Sequence, residues 1–187
     1  MSTIDQFELK LRAKLKETIA YLLRFAINPI QEIKSLPTWG YRHLLLVHII
    51  LSVASGALAG LVTLSFLNVL FGIFLLPIIS LVMIFILTAF IYYYFQVFER
   101  RTVSIQNLLT LIIFANWPFF IFQIPSHYLP PLTIVGFAFT GLLLIVGLTK
   151  NFQLEKKKSF RLVMTLFAVI FLVWLWNQID LSRMDKM

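Results

Sequence analysis

The chain has 187 residues, of which 60% are hydrophobic and 16% aromatic, and its formal net charge is +8. A mean hydropathy of +0.90 is too high for a water-soluble surface, so the composition excludes a soluble globular protein and indicates an integral membrane protein. Cysteine is absent, which excludes a disulfide framework, a thiol nucleophile and a cysteine-ligated metal site.

Residues 1–42 are predicted to form a cytoplasmic arm that begins with an amphipathic helix. Asn28 and Pro29 are expected to end this helix and to start a short second one. A basic amphipathic helix either lies on anionic lipid headgroups or packs its apolar stripe against the ends of the spans, and the sequence leaves both interpretations open. The stripe consists of Ile4, Phe7, Leu11, Leu15, Ile19, Leu22 and Phe25.

Three long segments without Asp, Glu, Lys or Arg are predicted to hold five transmembrane helices, because one span needs roughly 20 apolar residues. Together they form an all-α polytopic domain, residues 43–180, followed by an external tail, residues 181–187. The first turn is expected at Leu67 and Asn68, which places Pro77 in the first turn of the second span. The predicted spans are 43–66, 75–97, 104–124, 132–149 and 160–179.

Basic residues are distributed unevenly along this topology. Seven lie in the arm, two in the loop after the second span and five in the loop after the fourth, against Arg183 and Lys186 beyond the fifth. The positive-inside rule keeps short Lys- and Arg-rich loops in the cytoplasm. We therefore expect a cytoplasmic N-terminus and an external C-terminus, in the inner membrane if the protein is bacterial.

Small residues recur at helical spacing in the first span. Ser52, Gly56 and Gly60 are four residues apart, and such a row lets two membrane helices approach closely. Ser55-Gly56 followed by Gly60 is also similar to the segment around the nucleophile of rhomboid intramembrane proteases. That chemistry needs a His base from another span, whereas His48 lies on the same helix, about 10 Å away along its axis. We predict a helix-packing face and no enzymatic activity.

A proline is expected to break the third span. Pro118 lacks an N–H and frees the carbonyl of Phe114, which Asn116 or a neighbouring helix would then satisfy. The sequence leaves open whether the break at Pro118 bends the span to shape the bundle or forms a ligand cavity. The other prolines of this region are expected at the outer turn of a hairpin, and they are Pro125, Pro130 and Pro131.

The predicted spans contain almost no titratable side chains. Ion-coupled transport normally relies on such groups inside the membrane, so a proton or sodium relay is not expected from His48 alone. His43, His48 and His127 lack an Asp, Glu or Cys that would complete a metal site. No metal or cofactor is predicted.

The order of these features resembles the Yip1 domain family, and in particular its compact bacterial members. The resemblance covers about residues 25–177 and consists of Asn28-Pro29, an aromatic end of span two, a proline-broken span three and the basic run GLTKNFQLEKKKSFRLV. It implies five spans with a cytoplasmic N-terminus and no catalytic residue. Eukaryotic members are linked to Rab GTPase binding and to membrane trafficking between endoplasmic reticulum and Golgi. This sequence departs from the family at Glu99-Arg100-Arg101, where a glycine-containing turn is common.

The resulting hypothesis is a non-enzymatic membrane organiser or adaptor, whose basic cytoplasmic face binds membrane lipids with anionic headgroups or a protein partner, and no nucleic acid. The alternative is a facilitator of lipid or small neutral-solute movement, with a groove lined by Ser52, Ser55, Asn107 and Asn116. The sequence does not determine the oligomeric state, and it is compatible with an oligomer. The expected contact residues are Lys10, Arg12, Lys14, Lys16, Arg100, Arg101, Lys156, Lys157 and Lys158, and the expected helix-packing residues are Ser52, Gly56, Gly60 and Pro118.

Overall fold

The architecture was obtained as a computed structural model, which describes residues 3–129 and 131–184. The described part of the chain is helical with short connections and contains no strand, which confirms the all-α prediction. A single 3-10 turn, Pro125–His127, lies in the connection after α6. The helices are α1 (Thr3–Ile27), α2 (Pro29–Glu32), α3 (Tyr41–Val62), α4 (Phe66–Val97), α5 (Ile105–Ala115), α6 (Trp117–Gln123), α7 (Pro131–Asn151) and α8 (Lys156–Met184).

Four candidate membrane spans occur among the described residues. They are α3, α4, the combined segment Ile105–Gln123 and α7, and they coincide with the first four predicted spans. The predicted fifth span, 160–179, lies within α8, but the side chains of residues 170 and 171 and of all residues beyond 172 are outside the described part of the chain. The count of five spans and the external tail therefore stay predictions.

The turn between α3 and α4 comes earlier than predicted. It occupies residues 63–65, where Leu64 adopts a left-handed backbone conformation with φ 51°. The Ser65 hydroxyl accepts a hydrogen bond from the Asn68 N–H at 3.4 Å and caps the start of α4. Because α4 begins at Phe66, Pro77 lies well inside the helix, and its prediction as a first-turn residue is wrong.

The third span is broken where the sequence predicts. α5 ends at Ala115 and α6 begins at Trp117, so Pro118 occupies the first turn of α6, where its missing N–H costs little. The backbone N–H of Asn116 donates to the Ile112 carbonyl at 3.0 Å and so closes the last turn of α5. One turn further on, α3 supplies the hydroxyl of Ser55, which donates to the Phe120 carbonyl at 2.7 Å. This carbonyl belongs to the last turn of α6 and would otherwise lack a helical donor.

α5 is the central helix of the bundle. Every residue from Leu108 to Ala115 is buried, and a helix that is buried all round forms the core of its domain. α4 lies at the outside of the bundle. Only 11% of its most apolar 18-residue stretch is buried, against 61% of the corresponding stretch in the span that contains α5. The exposed apolar side chains of α4 therefore form a surface suited to lipid.

Candidate binding surface

The predicted contact residues fall into two groups. Arg12, Lys14 and Lys16 lie exposed on the first half of α1, and the side chain of Lys10 is outside the described part of the chain. The second group occupies the loop after α4 and the start of α8, where the two segments contact each other. It comprises Arg100, Arg101, Lys156, Lys157 and Lys158.

Two residues of the second group already have partners inside the chain. Arg101 donates from Nη2 to the Phe152 carbonyl at 2.6 Å, and its guanidinium lies 4.9 Å from the centre of the Phe95 ring. Lys158 donates to the Glu99 carboxylate at 2.9 Å, and this hydrogen bond raises the pKa of the Lys158 ammonium. Arg101 thereby joins the α4–α5 loop to the α7–α8 loop, and Lys158 joins the same α4–α5 loop to the first turn of α8.

The turn that departs from the common family pattern has a backbone conformation that favours glycine. Arg100 adopts φ 51°, in the left-handed region, although it is not glycine. This turn leaves the side chain of Arg100 exposed while Arg101 folds back against Phe95. Arg100 is therefore available on the surface, whereas Arg101 contributes to the packing beneath it.

Lys156 and Lys157 border a groove between α7 and α8 with a volume of about 520 Å³. The groove is also lined by Ile145 of α7, by Phe160 of α8 and by Glu155. Ile145 and the half-exposed Phe160 provide apolar surface, and the two lysines provide positive charge that the Glu155 carboxylate partly offsets. An amphipathic ligand with an acyl chain and an anionic head matches this combination.

The second half of α1 packs against the break in span three through aromatic rings. Phe25 is only 1% exposed and stacks on Trp117, with the ring centres 5.1 Å apart and the planes at 12°. Tyr21 contacts Phe114 at 5.0 Å and Trp39 at 5.4 Å, edge to face. We call Tyr21, Phe25, Trp39, Phe114 and Trp117 the aromatic cluster.

The apolar stripe predicted for the arm is divided between two environments. Phe25 is buried and Leu22 is half-buried, whereas Leu15 and Ile19 are 60% and 48% exposed. The side chains of Ile4, Phe7 and Leu11 are outside the described part of the chain. One part of the stripe therefore packs on the bundle and another part is exposed, and contact of the exposed part with lipid headgroups stays a prediction.

The Yip1 domain family matches residues 24–177, which is most of the chain. The chain belongs to the Yip1 family. No curated protein and no solved structure gave a match. The match begins at Arg24, so Phe25 and the short helix α2 are part of the Yip1 domain rather than an appendage to it. Together with four apolar helices, this membership identifies a membrane protein.

The first two membrane helices of the Yip1 domain touch at glycine. A Cβ atom built on Gly56 would overlap the carbonyl of Gly72, and one on Gly72 would overlap the carbonyl of Gly56. A Cβ on Gly60 would lie 2.5 Å from the Cα of Val69. Ser52, the remaining member of the predicted row, is fully buried and donates locally to the Ile49 carbonyl at 3.0 Å.

A second groove of about 290 Å³ opens beside this contact, near the α3–α4 turn. Its polar lining comes from Thr63, Asn68 and Gln123, and the Oε1 atom of Gln123 is buried without a hydrogen-bond partner. The groove predicted from sequence is different, and the structure does not bring its four residues together. The hydroxyls of Ser52 and Ser55 bond to backbone carbonyls, while Asn107 is exposed in the first turn of α5 and Asn116 lies at the break.

One polar contact between α3 and α4 was not predicted from the sequence. The Ser80 hydroxyl donates to the Pro77 carbonyl at 3.0 Å, which leaves its oxygen to accept from His48 Nε2 at 3.0 Å. His48 is 1% exposed, so it lies in the bundle interior rather than at an open interface. Its partner is 32 residues away, and only the register of the α3–α4 hairpin brings the two side chains together.

Within the described ranges, 3–129 and 131–184, no three His, Cys, Asp or Glu residues are placed to hold a metal ion. The hydroxyl of Ser55, which the sequence identified as a candidate nucleophile, is hydrogen-bonded to the Phe120 carbonyl. Its nearest histidine along the chain, His48, is paired with Ser80 instead.

Proposed function

We propose that this member of the Yip1 family is a non-enzymatic membrane organiser or adaptor that binds partners through its basic cytoplasmic face. An anionic phospholipid is the ligand that fits this face best. The observation that carries the proposal is the groove between α7 and α8, in which Lys156 and Lys157 stand beside apolar Ile145 and Phe160. The uneven distribution of Lys and Arg supports the cytoplasmic assignment of this groove.

The three consecutive lysines at the start of α8 have different roles in this proposal. Lys158 is paired with Glu99, so its charge is already balanced within the chain. Lys156 and Lys157 are exposed and border the groove, where each can contribute about 1 kcal/mol of attraction to an anionic membrane surface. An anionic headgroup would contact these two ammonium groups while an acyl chain covers Phe160. The exposed Arg100 adds positive charge to the same face.

Reversing the charge of Lys156 and Lys157 together is expected to weaken binding of anionic phospholipid. Loss of both attractions, at about 1 kcal/mol each, corresponds to an affinity roughly 30-fold lower. The measurement is the rise in unfolding temperature of the purified protein in mild detergent when phosphatidylglycerol is added, with phosphatidylcholine as the uncharged comparison. Wild-type protein should be stabilised by the first lipid alone, and Lys156→Glu/Lys157→Glu should lose most of that stabilisation.

The matched control reverses two exposed basic residues outside the groove, as Lys34→Glu/Arg42→Glu. It changes the net charge by the same amount, so it should retain the lipid response if the groove is the binding site. Equal losses in the two double variants would show a response to total charge only, and unchanged binding in both would contradict the proposal.

The alternative function, movement of lipid or of a small neutral solute, has one observation in its favour. The Oε1 atom of Gln123 is buried without a partner, and Gln123 lines the groove beside Gly56 and Gly72, where a neutral hydrogen-bond donor would satisfy it. Reconstitution in vesicles containing a fluorescent lipid separates the two functions, because a facilitator produces flux across the bilayer and an organiser does not.

A further inference from the structure

Three hydrogen bonds fix residues 18–39 to the arm-side ends of the membrane helices. Thr18 Oγ1 lies 2.9 Å from Nε2 of His43, in the first turn of α3. The Ile33 carbonyl accepts from the side chain of Asn151, the last residue of α7, at 2.8 Å. The Trp39 carbonyl accepts from Gln106 Nε2, in the first turn of α5, at 2.7 Å.

Between Thr18 and Ile33 the aromatic side chains of α1 contact residues well beyond the ends of the spans. Phe25 stacks on Trp117 and contacts Phe114, which is nine residues beyond the start of α5 and therefore about 13 Å along its axis. The seven residues from Thr18 to Phe25 in α1 advance about 10 Å, which agrees with that depth. α1 thus descends from the ends of the spans, and the segment 28–33 returns to them.

At the turn of this hairpin both backbone groups of Asn28 are hydrogen-bonded within the chain. The Asn28 N–H donates to the Arg24 carbonyl at 2.8 Å, and the Asn28 carbonyl accepts from Gln31 and Glu32 at 3.1 Å. Non-helical backbone at membrane depth requires such internal bonding, because hydrocarbon offers no partner. Arg24 and Glu32 are the charged residues between 18 and 33, and they lie 3.7 Å apart.

One face of the hairpin packs on the bundle, and the other is exposed and mostly apolar, although Arg24, Asn28 and Gln31 are exposed as well. Phe25 and Ile33 are almost completely buried, whereas Leu23 is 60% and Ile27 84% exposed, and Ile30 is also exposed. At this depth below the ends of the spans the surroundings of a membrane protein are acyl chains, in which such a face is favourable.

We infer that residues 18–33 form a re-entrant helical hairpin inserted into the cytoplasmic leaflet, with Leu23, Ile27 and Ile30 in contact with phospholipid acyl chains. The hairpin occupies volume in one leaflet only, so it expands that leaflet relative to the other. This inference rests on the contacts of α1 and α2 and is independent of lipid binding between α7 and α8.

Site-directed spin labelling tests this placement directly, since the chain has no native cysteine to compete for the label. A label at Ile27→Cys, in full-length protein in phospholipid nanodiscs, should collide freely with oxygen and lose collisions with a water-soluble nickel chelate. Ile78→Cys, on the exposed face of α4, supplies the lipid-facing reference, and the exposed Lys34→Cys supplies the water-facing one. The collision rates of the label at Ile27→Cys with both reagents should match those at Ile78→Cys.

Two outcomes would overturn the inference. Frequent collisions with the nickel chelate at Ile27→Cys, as at Lys34→Cys, would place the hairpin in water. Protection from both reagents would show that a protein surface, such as a second copy of the chain, covers it. Because Ile27 is largely exposed, its replacement should not disturb folding, and an unchanged unfolding temperature verifies this.

Discussion

Gly56→Ser is expected to lower the free energy of unfolding by about 3 kcal/mol, the upper end of the usual cost of overpacking. The new Cβ would overlap the carbonyl of Gly72, which belongs to the backbone and cannot rotate away as a side chain could. α3 and α4 must then separate, and the contact between Gly60 and Val69 is lost with them. Since lipid provides no hydrophobic drive between helices, close packing is what holds such a pair together.

The measurement is unfolding of the purified variant in mixed micelles by increasing fractions of a denaturing detergent. Gly40→Ser is the matched control, because no atom lies within 4 Å of a Cβ at Gly40 and its backbone is extended. Serine is also a favourable residue at the start of a helix such as α3, so the control should unfold like the wild type. Equal unfolding of Gly56→Ser and wild type would contradict the close approach of α3 and α4.

Phe25→Ala is expected to cost about 3 kcal/mol and to release the second half of α1 from the bundle. Phe25 is almost completely buried between Phe114 and Trp117, and removal of a buried aromatic ring leaves a cavity that the surrounding residues fill only in part. Hydrogen–deuterium exchange measures the effect locally. Backbone amides of residues 18–27 should exchange faster in the variant, while those of α5 remain protected.

Leu23→Ala is the control for this experiment, because Leu23 lies two residues away in the same helix with its side chain 60% exposed. It should change the stability of the bundle by less than about 0.5 kcal/mol, as is usual for exposed positions. Unchanged exchange of residues 18–27 in Phe25→Ala would mean that the aromatic cluster does not hold the arm in place.

The sequence predicts the helices of this protein better than it predicts their contacts. Charge-free segments identify the first four spans, and Pro118 identifies the break at Asn116, because both features act locally along the chain. Pro77 lies deeper in its helix than the sequence predicts, because Ser65, a residue with no hydrophobic signal, caps α4 early and more than two turns are added before the proline.

The binding surface, too, is predicted from the sequence only where its features are local along the chain. Positive charge around Lys156 and Lys157 is visible in the sequence, but the groove beside them also needs Ile145, which lies on another helix. The partners of Arg101 and Lys158 are 51 and 59 residues away, so spacing could not show that these two cations are already paired. Likewise, helical periodicity grouped Leu15 with Phe25, although the aromatic cluster buries only the second.

Photo-crosslinking tests the central claim, that an anionic phospholipid occupies the groove between α7 and α8. The protein is reconstituted with phosphatidylglycerol or phosphatidylcholine that carries the same diazirine acyl chain, and the labelled residues are mapped by mass spectrometry. We predict enrichment of label at Ile145 and Phe160 with phosphatidylglycerol, and its loss in Lys156→Glu/Lys157→Glu. Equal labelling of these two residues by both lipids, unchanged by the double substitution, would contradict the account.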